Sequence, residues 1–509
     1  MFDLKTLSAD GSDFIKKLRE YFLTVGEGTV ELTINLVVMV LVERFYDQQA
    51  LGIYAYLLSL LFIISYLSEF GIPRFTEHQI AKTDRHPKDQ FEILSKSGQT
   101  ALCLSILVAS LLFLSAGYNA AHTRIGERTA AYLIIAVILP LRCLNRLKLS
   151  VLHGYGQHEL VAKLQTTKRL IFLGAVFLLL LVRVPPSYLF LAFLGAEVFL
   201  TVATAVKRTL PGIWKIWIGF RSVRSTLSQG YQYLFSDDAL DVVLYVDFLI
   251  LGIFVSSWEL GVYAEASILA RFFLLVPISI KPIFRRRYTV MTAQGEYQNA
   301  AATFHRTTKI MFYLQSLLSI YVLLHFPEVL HTFYRTHGEE LLSFKIFTVL
   351  VPGLIYFAAV TSQEAVYEAG EQINVLRKLA VIIASVNIVL NIYLVPFAGG
   401  FGAASATLVS MLAYFFLFDL YLDKAHKIRK LPFLFAGAGV YFIYMLMRSL
   451  NLGVVPDLLL CPIILFSVLY FMGFFKIEEN LQKITIHQQN LIEGGLNHGR
   501  HKAGKAEPV

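Results

Sequence analysis

The sequence predicts an all-α polytopic membrane protein with about fourteen transmembrane helices, arranged as two six-helix lobes followed by two further helices. Three observations carry this prediction. Apolar residues are 56% of the 509-residue chain and charged residues only 16%, which is too apolar for a soluble protein with one core. Stretches of about 20 apolar residues, long enough to cross a bilayer, recur along most of the chain. A short phrase also occurs twice, which indicates an internal duplication.

The apolar stretches and the basic residues together define the predicted topology. From the N-terminus, the predicted spans are 22–44, 52–72, 100–121, 130–151, 165–184, 187–206, 233–255, 261–281, 309–326, 342–363, 375–395, 401–422, 432–449 and 455–475. Lys and Arg are retained on the cytoplasmic side of short loops, and most of the 45 Lys and Arg residues lie in or beside inner segments if the N-terminus is inside. We therefore expect both termini in the cytoplasm. The net charge of +9 then reflects topology and attraction to anionic lipid headgroups, and we expect no nucleic-acid partner.

The sequence also indicates that disulfides, a metal site and a removable signal peptide are absent. Cys103, Cys143 and Cys461 all lie in predicted spans, so we expect no disulfide framework. The histidines near the outer end of the ninth span lack compact ligand spacing, so we expect no metal site. The polar N-terminus and the absence of a cleavage pattern predict no removable signal peptide.

Two pairs of similar segments are the evidence for the duplication. Leu51-Gly52-Ile53-Tyr54-Ala55-Tyr56 parallels Leu260-Gly261-Val262-Tyr263-Ala264-Glu265, and each joins one long apolar segment to the next. Residues 157–164 and 372–379 are a weaker match, each between the fourth and fifth spans of its half. Because six spans return the chain to the same side, the halves should be related by an axis along the membrane normal.

Hydropathy and the duplication divide the chain into six predicted parts. They are an amphipathic cytoplasmic N-terminus (1–21), an N-lobe (22–206), an interfacial connector (207–232), a C-lobe (233–422), two added spans (432–475) and a cytoplasmic tail (476–509). The connector mixes Trp214, Trp217 and Phe220 with Lys and Arg, which favours a helix in the headgroup region over a plain loop.

At this point a family resemblance becomes visible. It rests on Glu43-Arg44-Phe45-Tyr46-Asp47, on Ala50 and the phrase that follows it, and on Glu69-Phe70-Gly71-Ile72-Pro73-Arg74 at the end of the second span. With the six-plus-six plan and the two added spans, the chain resembles the polysaccharide-transporter branch of the multidrug, oligosaccharidyl-lipid and polysaccharide exporter superfamily, over roughly residues 22–475. Bacterial members of that branch include the O-antigen flippases.

The resemblance implies a fold, a cargo and a location. It implies two lobes around a V-shaped cavity that opens alternately to each side of the bacterial cytoplasmic (inner) membrane. The implied cargo is a polyprenyl-diphosphate-linked oligosaccharide, moved from the inner to the outer leaflet for O-antigen, capsule or exopolysaccharide biosynthesis. The implied partners are membrane lipids and polysaccharide polymerase machinery. The implied protein is a transporter and not an enzyme.

The sequence indicates that transport is not driven by nucleotide hydrolysis in this chain. No Gly-x-x-x-x-Gly-Lys-Ser/Thr sequence occurs, so the chain lacks a phosphate-binding loop for nucleotide-driven transport. We therefore expect no cofactor, and transport that is facilitated or coupled to an H+ or Na+ gradient. Charged residues within spans are costly and mark internal ion pairs or working sites, so they are the candidate site residues.

Matching acidic pairs are the first candidates for ion coupling. Glu27 and Glu31 lie on one face of the first span, and Asp237 and Asp241, beside Asp238, stand at nearly the repeat interval further along. The resemblance implies that the first and seventh spans line the cavity. Such pairs could exchange a proton or hold Na+. They could equally be acidic groups at a wet helix entrance.

Other charged residues lie deeper in the predicted spans. Arg271 could bind a diphosphate or an acidic sugar, or it could form a structural ion pair with Asp247 at similar depth on the preceding helix. Asp247 is itself a further candidate for ion coupling. Glu197, within the sixth span, is a proton-site candidate or an internal hydrogen-bond partner. Arg142 and Arg146 are candidate diphosphate contacts, although topology alone also accounts for arginines near a cytoplasmic helix end.

Two other functions remain open from the sequence. A cation-coupled multidrug exporter of the same superfamily would suit an acidic cavity. A membrane glycosyltransferase or polymerase would need a sizeable outer loop, whereas the longest one expected here, about residues 327–341, is short.

Overall fold

The computed structural model is helical, and no strand occurs in the residues that it describes. These are 30, 33–82, 87–122, 126–206, 220–234, 239–334, 340–370, 372–421, 426, 430–450 and 453–471. The first helices are α1 (33–45), α2 (Gln48–Glu69), α3 (Ile72–Lys82), α4 (Pro87–His122), α5 (Gly126–Gly154), α6 (His158–Leu181), α7 (Phe190–Val206) and α8 (Phe220–Gly230). The later helices are α9 (Ala239–Phe254), α10 (Ser257–Phe272), α11 (Leu275–Ala293), α12 (Tyr297–Leu324), α13 (Phe326–Phe333), α14 (Glu340–Ala369), α15 (Ile373–Tyr421), α16 (Lys430–Leu450) and α17 (Val454–Phe471). The predicted all-α class is confirmed.

The length and composition of the helices identify a multi-pass membrane protein. Within the described residues, 10 helical stretches are long and apolar enough to cross a membrane, and Tyr245–Phe254 and Pro456–Tyr470 are shorter apolar helices. Every predicted span falls at least in part on a helix. The total of fourteen spans stays a prediction.

The predicted eleventh and twelfth spans are the two parts of α15. Gly399 separates them, with a φ of 51° that an L side chain rarely adopts. A Cβ at this glycine would also lie 1.8 Å from Oε1 of Glu259. The next backbone N–H, that of Gly400, donates a hydrogen bond to the same Glu259 oxygen at 3.1 Å. Glycine is therefore required at the turn between these two spans.

The repeated phrase lies in the opening turns of α2 and α10, where the two helices cross. A Cβ on Gly52 would lie 1.9 Å from the carbonyl oxygen of Ser257, and one on Gly261 would lie 2.0 Å from the carbonyl oxygen of Gln48. Small residues allow two helix backbones to approach this closely. The phrase thus makes a contact between the two halves of the duplication as well as joining one predicted span to the next.

By packing, the chain divides into two units. Unit 1 comprises Met1–Ser279, Phe326–Leu354 and Gln372–Met411, and unit 2 comprises Ile280–His325, Ile355–Glu371 and Leu412–Val509. Unit 1 includes α1 to α10, and unit 2 includes α12, α16 and α17. In unit 2, Lys281 pairs with both Glu364 and Glu368, at 2.8 and 2.6 Å.

The six predicted parts of the chain stay predictions. The amphipathic N-terminus (1–21) and the tail (476–509) lie outside the described residues, as does the connector as far as residue 219. The rest of the connector contains α8, whose Leu227 packs on a small cluster that includes Ile72 and Leu147.

Candidate functional site

A partly open cavity of about 320 Å³ lies in unit 1, lined by residues of α1, α2, α3, α5, α6 and α7 and by residues 233–234. Its basic lining residues are Arg74, Arg142, Arg146, His153, Lys168 and Arg169, and its acidic lining residues are Glu69 and Glu77. Basic groups thus outnumber acidic ones along the wall. All of the lining comes from the first half of the chain.

Helical periodicity places the basic groups together. On α5 the lining residues Arg142, Asn145, Arg146, Leu149 and His153 recur at intervals of three and four, and so share one helix face. On α6 the same spacing brings Gln165, Lys168, Arg169 and Phe172 to the wall. The basic residues on these faces of α5 and α6 therefore line the same cavity.

A buried carboxylate lies behind the two deepest cations. Glu197 on α7 is fully buried, and its Oε1 lies 2.5 Å from Nζ of Lys168 and 3.7 Å from the guanidinium of Arg142. Asn145 donates a hydrogen bond to the other oxygen, Oε2, at 2.9 Å. The single carboxylate of Glu197 thus forms ion pairs with two cations. The sequence-based candidates Glu197 and Arg142 come together here, with Lys168 as a third member.

Arg142 keeps capacity for a further partner. Its side chain is 11% exposed, and its Nε is buried without a hydrogen-bond partner among the described residues. Buried N–H groups are normally satisfied, so a donor of this kind at a cavity wall favours an acceptor ligand. At the cavity mouth Arg146, which is 42% exposed, pairs with Glu69 at 2.8 Å. The cavity is therefore suited to an anion with several acceptor oxygens, such as a phosphate ester.

The second half of the duplication contributes a different cluster to unit 1. Asp247 on α9 is fully buried and accepts hydrogen bonds from Tyr263 at 2.8 Å, Thr407 at 2.5 Å and Asn391 at 2.8 Å. Asn391 also donates to Oδ1 of Asn387 at 3.1 Å. Two hydroxyl groups and one amide N–H thus donate to a single buried carboxylate. A buried carboxylate within an apolar helix is a candidate site for a coupling ion.

Arg271 lies outside the lining of the cavity. Its guanidinium stands over the ring of Tyr245, 4.5 Å from the centroid, and 5.2 Å from that of Phe248. Phe248 is the residue that follows Asp247 in α9. Its predicted roles, substrate contact or structural partner of Asp247, stay predictions.

The acidic pairs proposed for ion coupling cannot be placed. Glu27, Glu31, Asp237 and Asp238 lie outside the described residues. Asp241 lies on α9, but its side chain is not among those described. Their roles also stay predictions. Among the described residues, no group of three or more His, Cys, Asp and Glu side chains is arranged to hold a metal ion.

The match to a protein family decides where this chain belongs. The model of a family described as polysaccharide biosynthesis protein matches residues 18–285, which is more than half of the chain and includes all the residues that line the cavity. The chain belongs to the polysaccharide biosynthesis protein family. No curated protein matches this family member by sequence.

Solved structures show which fold this polysaccharide biosynthesis family member shares. The lipid II flippase MurJ in an inward closed conformation has a TM-score of 0.65 at 14% identity, covering 92% of this chain and 99% of that one. A multidrug resistance MATE family transporter of the MOP superfamily, inward-facing, has a TM-score of 0.59 at 12% identity, covering 76% and 92%. A MOP superfamily transporter from Pyrococcus furiosus, with reversed polarity of its binding pocket, has a TM-score of 0.54 at 12% identity, covering 81% and 96%. At identities of 12–14% these likenesses establish a shared fold.

Sequence reasoning missed three polar residues of this family member. Lys168 and Arg169 on α6 were not among the candidate residues, although their spacing with Gln165 places all three near one helix face. Glu265, the last residue of the repeated phrase, is buried, and it accepts hydrogen bonds from Gln48 at 3.0 Å and Ser343 at 2.9 Å. The sequence did contain a signal for this residue, because the second copy of the phrase ends in Glu265 where the first copy ends in Tyr56.

Proposed function

We propose that the protein is a flippase that moves a polyprenyl-diphosphate-linked oligosaccharide from the inner to the outer leaflet of the bacterial cytoplasmic membrane, for surface polysaccharide biosynthesis. The observation that carries the proposal is the basic cavity, in which Arg142 lies beside Lys168 and its Nε has no hydrogen-bond partner in the described part of the chain. A diphosphate offers several charged oxygens and so can pair with more than one of these cations at once. The lipid tail would stay in the bilayer, where its transfer to water is avoided.

Two further facts support this cargo. The family is one of polysaccharide biosynthesis proteins. The fold is shared with a flippase of lipid II. O-antigen, capsule and exopolysaccharide units all fit the same chemistry, so the sugar itself is left open.

A multidrug exporter of the same superfamily is the second candidate, because the MATE fold is also shared. Cationic drugs would be repelled by a wall on which Arg and Lys outnumber Glu, and the described cavity therefore disfavours this candidate.

We also propose that an H+ or Na+ gradient drives transport and that Asp247 is the coupling residue. The support is its complete burial with three hydrogen-bond donors around one carboxylate. A buried charge is costly unless its site is built to stabilise it, so such a residue marks a working site.

The proposal is tested by reconstituting the full chain in proteoliposomes with a labelled polyprenyl-diphosphate oligosaccharide. We expect transbilayer movement above that of empty vesicles, and stronger movement under an imposed H+ or Na+ gradient. Lys168→Gln should lower the affinity for the labelled lipid about tenfold, because a charge-assisted contact in a partly buried site is lost.

The matched control is Lys163→Gln on the same helix. Lys163 is 64% exposed, pairs with Glu159 one turn away and does not line the cavity. It should leave the affinity unchanged. Movement no faster than in empty vesicles, together with export of cationic dyes, would reject the flippase and favour the drug exporter.

A further inference from the structure

Two of the candidate arginines lie at the two ends of one stack of side chains. The rings of Phe62 on α2 and Tyr245 on α9 are parallel within 12°, with their centroids 4.7 Å apart. Arg142 stands over the ring of Phe62 at 4.9 Å, and Arg271 over that of Tyr245 at 4.5 Å. Each ring covers one face of the other, so each guanidinium lies against the outer face of its own ring. The resulting order is Arg142, Phe62, Tyr245, Arg271.

The stack joins the basic cavity to the buried aspartate. Arg142 and Phe62 line the cavity in the first half of the duplication. Tyr245 and Arg271 belong to the second half, and Arg271 also stands over the ring of Phe248, the residue that follows Asp247, at 5.2 Å. All of these residues lie in unit 1. The stack is therefore a direct physical connection between the anion cavity and the candidate ion site.

Arg142 is the member of the stack that a ligand could withdraw. Its distance of 3.7 Å from Glu197 is longer than a hydrogen bond, and its Nε is unsatisfied. A diphosphate oxygen would form a shorter, charge-assisted hydrogen bond with it than Glu197 does. Movement of Arg142 toward that ligand would remove the cation from the face of Phe62.

Phe62 and Tyr245 touch only while α2 and α9 are in contact. A ligand can shift a conformational equilibrium only through a difference in its affinity for the two states. A diphosphate that binds best when Arg142 has left the stack favours the state in which the stack is weaker. This provides the required difference in affinity.

We propose that Phe62 and Tyr245 are positioning residues that couple occupancy of the basic cavity to the Arg271–Asp247 site and to separation of α2 from α9. The stack holds the two helices together while the cavity is empty, and a diphosphate headgroup that takes Arg142 releases them. The inference rests on the proposed function, because it takes the ligand to be the diphosphate of a lipid-linked oligosaccharide.

The test compares leucine variants with aromatic ones in the full chain. Phe62→Leu and Tyr245→Leu remove the stack, whereas Phe62→Tyr and Tyr245→Phe keep it. We expect both leucine variants to lose about tenfold of the gradient-dependent transport rate, as an aromatic pair and its cation contacts are lost. Tyr245→Leu, at a residue that does not line the cavity, should bind the labelled diphosphate lipid within about threefold of wild type. The aromatic variants should restore that rate. Phe466→Leu, which breaks the stacked Phe466–Tyr470 pair on α17, is the control for loss of an aromatic contact elsewhere.

A second readout needs no lipid substrate. Spin labels on Gln49 and Ile253, both exposed and near the ends of α2 and α9 away from the cavity, report the separation of the two helices, with the exposed Cys103 replaced by Ser. In ligand-free protein, the leucine variants should broaden or lengthen this distance, and the aromatic variants should not. In wild type, inorganic pyrophosphate should lengthen it.

The outcomes separate the two proposals. Wild-type protein that neither binds nor moves the diphosphate lipid would reject the proposed function, while broadened distances in the leucine variants would still support the stack as the contact that holds α2 and α9. Unchanged distances together with wild-type gradient dependence in Phe62→Leu would overturn the inference. Loss of lipid binding in Phe62→Leu equal to that in Arg142→Gln would also overturn it, since Phe62 would then act on binding alone.

Discussion

Glu197 determines how strongly the cavity attracts an anion, because its buried carboxylate neutralises part of the charge of Arg142 and Lys168. The three side chains form a buried ion triad in which one negative charge faces two positive ones. Removing one member of such a group leaves the others desolvated and uncompensated. An anionic ligand would then supply the missing charge.

We predict that Glu197→Gln tightens binding of the diphosphate lipid and slows its release. Without the carboxylate, a ligand gains the full interaction with Lys168 and Arg142, so KM should fall several-fold and kcat with it. The free energy of unfolding should fall by about 3–5 kcal/mol, the cost of an uncompensated buried charge. Transport kinetics and thermal unfolding measure the two effects.

The control for Glu197 is Glu159→Gln on α6. Glu159 is 42% exposed and pairs with Lys163, so its loss should cost about 0.5 kcal/mol or less. A Glu197→Gln protein with wild-type KM but no gradient dependence would contradict the prediction. It would favour instead the alternative in which Glu197 carries the coupled proton.

At this scale, sequence predicted single residues but not their partners. Arg142, Arg146 and Glu197 were recognised because charges within apolar spans are rare. Their contacts with Lys168 and Glu69 join helices far apart in the chain, and no spacing rule reports such pairs. Asp247 was recognised in the same way, whereas its polar neighbours Asn391 and Thr407 are uncharged and gave no signal.

At the scale of helices, the crossing of α2 and α10 explains the repeated glycines. Each glycine meets backbone atoms of the other helix, so even one methyl group has no space. Backbone cannot give way as a flexible side chain can. The two helices would have to move apart.

We predict that Gly52→Ala and Gly261→Ala each lower the free energy of unfolding by about 1–3 kcal/mol, as expected for overpacking. Gly174→Ala on α6 is the control, because nothing lies within 4 Å of its added Cβ. Alanine there should be neutral or stabilising by up to about 1 kcal/mol, through its higher helix propensity. Thermal unfolding in detergent measures all three, and equal melting temperatures for Gly52→Ala and Gly174→Ala would refute the close crossing.

Helices were predicted more fully than their contacts. Long apolar runs are a strong signal, and each predicted span falls on a helix. The division of α15 at Gly399 was also anticipated, since the predicted eleventh span ends at residue 395 and the twelfth begins at residue 401. The packing division into two units was not predicted, because it depends on contacts between distant segments.

At the scale of the molecule, the duplication has diverged in its chemistry. The first half supplies every charged residue of the cavity wall, and the second half supplies Asp247 and its polar partners. The proposed diphosphate site and the proposed coupling-ion site therefore lie in different halves of the duplication. A transporter with such a division can lose one activity and keep the other.

We predict that Asp247→Asn separates the two activities. The variant should bind the diphosphate lipid with wild-type affinity, because Asp247 does not line the cavity. Its transport should no longer respond to an imposed ion gradient, because the amide cannot take up a proton and has no charge to hold a cation. Asp457→Asn on α17, another buried carboxylate, should keep the response. Imposing Na+ and H+ gradients separately identifies the coupling ion, and a full gradient response in Asp247→Asn would exclude this residue from coupling.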